Sequence, residues 1–147
     1  MKKRNRGFTL IELIMVIVIL GILSAFALPR FADFGDSARE ASMEGARGSV
    51  QSASGIVRSA FLAGGSPVTL EGETIDLEEG YASVTGILAA AQLSSDYDTA
   101  VDDDELTIFL ADEDADGDLC FIYTESDGNG PATTSAMGEF DGGDCDV

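Results

Sequence analysis

The 147-residue chain predicts an α+β protein: a long, kinked N-terminal helix with a small antiparallel sheet packed on its second half. Three observations carry this. An unbroken apolar run follows a basic N-terminus. Apolar residues then recur at helical spacing as far as residue 60. Beyond residue 65 the pattern changes to short β-rich runs divided by glycine and acidic turns.

The apolar run comes first. Residues 13–28 are Leu, Ile, Val, Met, Ala and Phe, broken only by Gly21 and Ser24. Counted from Phe8 the stretch is long enough to cross a bilayer core of about 30 Å as a helix. Lys2, Lys3, Arg4 and Arg6 precede it, and the positive-inside rule places this end in the cytoplasm and the rest of the chain outside. Pro29 lacks a backbone donor and its ring clashes with the preceding turn, so a kink or unwound segment is expected there. Beyond it Met43, Ala46, Val50, Ala53, Val57 and Ala60 alternate spacings of three and four, an apolar stripe for packing against the C-terminal head. Asp36 with Arg39 and Glu44 with Arg47 are placed to pair weakly on the polar surface. Ala63-Gly64-Gly65-Ser66-Pro67 stops the helix.

In the head, residues 68–77 predict a hairpin turning at Gly72. Ser83 is a candidate N-cap for a short helix carrying Val84, Ile87, Leu88 and Ala91. Residues 106–110 and 119–123 are the strongest strands, joined by an acidic turn, and a last short strand is expected at residues 137–140. Asp102-Asp103-Asp104-Glu105 predicts a solvated loop, and Asp127-Gly128-Asn129-Gly130-Pro131 another turn.

Composition excludes several functions. Of 27 acidic residues, 22 follow Arg58, and no basic residue does. Such a surface repels phosphate backbones, which excludes nucleic-acid binding by the head. The chain has no His, the usual general base and zinc ligand, and no spacing singles out a carboxylate pair; an enzyme is not expected.

Glu12 is the anomaly. A carboxylate inside an apolar helix is costly without a partner. A secretory signal ending at Ala25-Phe26-Ala27 and a plain membrane anchor both fit the apolar run, but neither gives Glu12 a role. Gly7-Phe8-Thr9-Leu10-Ile11-Glu12, followed by the apolar run, Gly21 and Pro29, resembles the prepilin signature of type IV pilins. The resemblance implies cleavage by a prepilin peptidase between Gly7 and Phe8, N-methylation of Phe8, and retention of the apolar segment as a filament core. It further implies that Glu12 meets the new α-amine of a neighbour or of its own chain during assembly. Two opposite charges in low dielectric are favoured over two isolated ones. A looser pattern, Pro29-Arg30-Phe31, Asp33 and Asp36-Ser37-Ala38-Arg39 before a Ser/Ala/Gly-rich helix, is similar to pilins of the mannose-sensitive haemagglutinin (MSHA) type.

On this resemblance residues 1–7 are a leader, 8–62 the N-terminal helix with 8–28 as membrane span and filament core, and 63–147 the globular head. Cys120 and Cys145 lie in the part placed outside the cell, where disulfides persist. Pilins of this kind staple their C-terminal segment in this way; a pair of free thiols is the alternative. The function implied is that of a major subunit polymerising into a surface pilus for attachment. Its partners would be copies of itself, the prepilin peptidase, the pilus assembly machinery and, before assembly, the inner membrane. The rivals are a pseudopilin of a type II secretion system, which shares the N-terminal signature, and a bitopic surface protein that binds calcium.

Calcium enters through Asp112 to Asp118. Asp112, Asp114, Asp116 and Gly117 reproduce the opening D-x-D-x-D-G of a calcium loop, and Asp118 adds a carboxylate. The match then fails: Tyr123 stands where the bidentate glutamate belongs, and residues 119 onward predict a strand. The expectation is an acidic hairpin turn, with a weak calcium site there as the further possibility and Glu113 or Glu125 completing its shell.

Overall fold

The structure, a computed structural model, describes residues 8–111 and 117–147, and only the backbone of residues 28–33. The chain divides into two compact parts, Met1–Ala38 and Arg39–Val147, described here separately.

In the first part, α1 (Leu10–Gly64) follows directly on Thr9 and is helical through Pro29. Its segment Leu10–Ala27 has a mean hydropathy of 2.8 and buries none of its residues, so it is long and apolar enough to cross a membrane. The Ser24 hydroxyl donates to the Leu20 carbonyl at 2.8 Å, which satisfies its hydrogen within the helix.

In the second part the apolar stripe of α1 is the spine of the core. Met43, Ala46, Val50, Ala53 and Val57 are buried at the three- and four-residue intervals that place them on one face. Several residues between them are small, and Ser49 and Ser52 return their hydroxyls to the carbonyls of Gly45 and Gly48, four residues back. The helix ends where Gly65, at φ 77°, donates its N–H to the Phe61 carbonyl at 2.7 Å, a conformation open to glycine at no steric cost.

Two small hairpins follow. β1 (Val68–Leu70) pairs with β2 (Glu73–Ile75) around Glu71-Gly72, and β3 (Leu77–Glu78) pairs with β4 (Tyr81–Ala82) around Glu79-Gly80. Both turns need two residues at positive φ, supplied each time by Glu-Gly. α2 (Val84–Ala91) starts at Ser83, whose hydroxyl accepts the Gly86 N–H at 3.0 Å. A Cβ at Gly86 would overlap the Asp76 carbonyl, so only glycine lets α2 lie this close to the preceding strands.

The main sheet contains β5 (Tyr97–Asp102), β6 (Glu105–Leu110), β7 (Leu119–Thr124), β8 (Thr133–Thr134), β9 (Gly138–Asp141) and β10 (Asp144–Asp146). Its order is β10-β9-β7-β6-β5, with β8 also paired to β7, and every pairing is antiparallel. The register sets Leu106 opposite Tyr123 and Ile108 opposite Phe121. These four are fully buried in one cluster with the α1 stripe. Alternate residues face the other way: Phe109 and Cys120 join Phe140 and Cys145 in a second cluster, where the Phe109 and Phe140 rings stack at 4.1 Å.

One expectation needs correction. Asp102-Asp103-Asp104-Glu105 is no open loop: Asp102 and Glu105 are paired strand ends, and Asp103-Asp104 form the two-residue turn between β5 and β6. Arg39 reaches across the fold to Asp118, a contact that helical spacing does not reveal.

Candidate assembly site

Phe8, 89 % exposed, precedes the helix. Thr9 is its N-cap, with its carbonyl accepting the Leu13 N–H at 3.3 Å. The backbone N–H and hydroxyl of Thr9 donate to Glu12 Oε2 at 2.8 and 2.7 Å, and the Glu12 N–H returns to Thr9 Oγ1 at 3.3 Å. This reciprocal arrangement is a capping box, threonine at the N-cap and glutamate three residues later. Glu12 therefore has a partner within its own chain: it accepts two donors that the first turn would otherwise leave without acceptors. Thr9 has no role in the prediction from sequence, although the T-x-x-E pattern before an apolar run is the signal that marks it. Gly7 lies outside the described residues. Pro29 lies within the helix, its backbone alone described.

In the head, Cys120 and Cys145 form a disulfide with Cα atoms 5.9 Å apart, a spacing in the ordinary range. Both cysteines are buried. The acidic segment is only partly visible: Asp112, Asp114 and Asp116, proposed from sequence as calcium ligands, lie outside the described residues. Asp118 is described, and both its carboxylate oxygens accept from Arg39 Nη1, at 3.2 and 3.3 Å. A guanidinium from α1 thus supplies Asp118 with a counter-charge. Glu125 is also committed: its Oε2 accepts the Val84 N–H at 2.7 Å, capping the start of α2. Among the described residues no group of three or more His, Cys, Asp or Glu side chains is placed to hold a metal ion.

Tyr123 lies fully buried beneath α1 and donates its hydroxyl to the Ala82 carbonyl at 2.7 Å. Burial raises its pKa, opposed by a hydrogen bond with Ser54 and reinforced by the Glu125 charge. In the unfolded chain a tyrosine releases its proton near pH 10. Between that value and the higher folded one, the folded state holds the extra proton, so stability falls as pH rises. The expected slope is about 1.4 kcal/mol per pH unit, confined to alkaline pH. Urea unfolding at a series of pH values checks it: Tyr123→Phe should flatten this slope while costing about 1–3 kcal/mol at neutral pH through the unpaired Ala82 carbonyl.

Comparison with known proteins places the similarity at the N-terminal end. The family described as the prokaryotic N-terminal methylation motif matches residues 2–28. The type IV narrow pilus major component PilA5 of Thermus thermophilus is 53% identical over 53 residues, covering 36% of this chain and 46% of that protein. The type IV major pilin protein PilA of Myxococcus xanthus is 64% identical over 31 residues, 21% of this chain and 14% of the relative. The type IV major fimbrial protein FimA of Dichelobacter nodosus is 56% identical over 34 residues, 23% of this chain and 21% of the relative. The matched stretch thus spans less than half the length of each of these relatives. No solved structure matches the chain. A long apolar N-terminal helix opening on the methylation motif, with antiparallel sheets behind it, is the α+β arrangement of the pilin fold, and it is to type IV pilin precursors that this chain is similar.

Proposed function

We propose that this chain is a structural subunit of a type IV pilus and not an enzyme: a precursor anchored in the inner membrane by Leu10–Ala27, then polymerised with copies of itself into a surface filament for attachment. The observation that carries this reading is the 18-residue apolar segment Leu10–Ala27 of α1, none of it buried within its own chain, that opens on the methylation motif. A soluble protein leaves no such surface uncovered; a bilayer and then neighbouring helices would cover it in turn. The pilus machinery would supply a prepilin peptidase that cuts between Gly7 and Phe8 and methylates Phe8. A kink at Pro29 belongs to the same reading, from the missing N–H and the clash of its ring.

Pilus subunits are favoured over secretion pseudopilins because the relatives are named as major pilus or fimbrial components. The MSHA-like subtype rests on the looser run from Pro29 to Arg39. A calcium site at Asp112, Asp114 and Asp116 would be independent of this function, with Asp118 drawn from its Arg39 partner to join it.

The test is the N-terminus of the mature chain. Mass spectrometry is expected to find a methylated Phe8 with the apolar helix retained. A mature chain beginning at Leu28 would mean an ordinary secretory signal and would end the pilin reading.

A further inference from the structure

The turn leaving β7 holds the only asparagine in the chain besides Asn5, and it is followed by glycine: Asp127-Gly128-Asn129-Gly130. All four residues are exposed to water. The turn is nevertheless ordered around one carboxylate. Asp127 Oδ1 accepts the Asn129 backbone N–H at 2.9 Å, and Oδ2 accepts the Asn129 side-chain amide at 3.1 Å. The Gly130 N–H lies close enough to the same carboxylate to help hold its pKa down. Ser126 Oγ, buried beneath the turn, donates to the Gly130 carbonyl at 2.6 Å and accepts the Gly128 N–H at 3.3 Å. One carboxylate therefore binds the side-chain nitrogen of Asn129 and stands beside the backbone nitrogen of Gly130, two atoms whose chemistry is linked.

Those are the nucleophile and the leaving group of succinimide formation. We propose that Asn129 is a self-promoted deamidation site, in which Asp127 carries the proton between them. The Gly130 nitrogen attacks Asn129 Cγ, forming the C–N bond of a five-membered ring, and gives up its proton to Asp127. The Cγ–Nδ2 bond breaks, and the leaving nitrogen takes that proton to depart as ammonia. Water then opens the ring at either carbonyl, leaving aspartate or isoaspartate at position 129. No oxidant or reductant takes part. The adjacent Asp127-Gly128 pair does not compete, because hydrogen bonds from Asn129 hold the Asp127 pKa down and keep it an anion, a poor electrophile.

The product changes the turn. A carboxylate at position 129 would replace a donor to Asp127 with a like charge. Glu79 is close as well, since a Cβ at Gly128 would stand 3.4 Å from its side chain. Each conversion thus adds negative charge and loosens the turn, an irreversible mark of age on a protein exposed outside the cell.

The experiment follows the full-length chain in detergent at neutral pH. Peptide mapping between Tyr123 and Phe140 reads the gain of about one dalton and the isoaspartate formed at position 129. The folded chain should deamidate there faster than the same chain in urea. Asp127→Ser, which keeps a hydrogen-bond acceptor but no carboxylate, should slow the reaction about a hundredfold or more, the lower end of what positioned proton transfer supplies. Gly130→Ala should slow it too; a Cβ there meets nothing within 4 Å, so the fold tolerates the change. A folded chain that reacts no faster than the unfolded one, or an Asp127→Ser chain less than about a hundredfold slower, overturns the proposal.

Discussion

Replacing Glu12 with alanine or with glutamine is expected to leave the chain inserted in the membrane while sheared filament falls about a hundredfold or more. That is the factor associated with removing one partner of a buried ion pair. The two variants separate two roles. In the single chain Glu12 closes a capping box with Thr9. Glutamine can take the glutamate's place in such a box, but it carries no charge for the α-amine that cleavage would expose on Phe8. Alanine removes both the acceptor and the charge. If Glu12→Gln filaments form in wild-type amounts while Glu12→Ala filaments do not, the carboxylate acts only as a helix cap. If both assemble normally, Glu12 has no part in assembly. Immunoblots of membrane and sheared fractions read both variants, with membrane amounts controlling for stability. The capping box also explains how one acidic residue is tolerated at the start of an apolar helix before a partner arrives: its oxygen already accepts two short hydrogen bonds.

Removing the disulfide should have the largest effect on the head. Cys120→Ser with Cys145→Ser opens a loop of 25 residues, for which chain entropy gives a loss of about 3.5 kcal/mol. For a domain of this size that lowers the melting temperature by roughly 15–30 °C. The loss should begin locally. β9 pairs with β7 only at Leu119–Glu139 and Cys120–Gly138, so the last two strands depend on the bridge and on the Phe109–Phe140 stack. Gly138 contributes by absence: a Cβ there would overlap the Asp146 carbonyl, so glycine lets β10 approach closely enough for Cys145 to reach Cys120. Thermal unfolding of the full chain with and without reductant measures the whole effect. Hydrogen exchange should show β9 and β10 opening before β6 and β7. A reduced chain that melts within a few degrees of the oxidised one would mean that strand pairing alone holds the C-terminus.

Much of this architecture was legible because it is periodic or local. The α1 stripe from Met43 to Val57 needed only the helical repeat, and all five of its predicted members up to Val57 are buried. Ser83, the Gly72 turn and the strands around residues 106–110 and 119–123 are marked by capping, turn and β-propensity signals within a few residues. β5 was not legible: Tyr97-Asp98-Thr99-Ala100-Val101-Asp102 is an edge strand whose exposed acids resemble a loop. β10 is three residues long and is held by a bridge to a strand 25 residues earlier.

The sequence by itself determined the apolar helix, the anomalous carboxylate at its start, the stripe beneath the head and the acidic character of everything after Arg58. Each of these is a property of neighbouring residues or of composition. Tertiary structure alone decided which polar groups have partners: Arg39 with Asp118, Val84 with Glu125, Tyr123 with Ala82. Those pairs are separated by 79, 41 and 41 residues. No local pattern encodes such contacts, because they form only when packing brings distant segments together; for the buried Tyr123 hydroxyl, which water does not reach, the Ala82 carbonyl takes water's place.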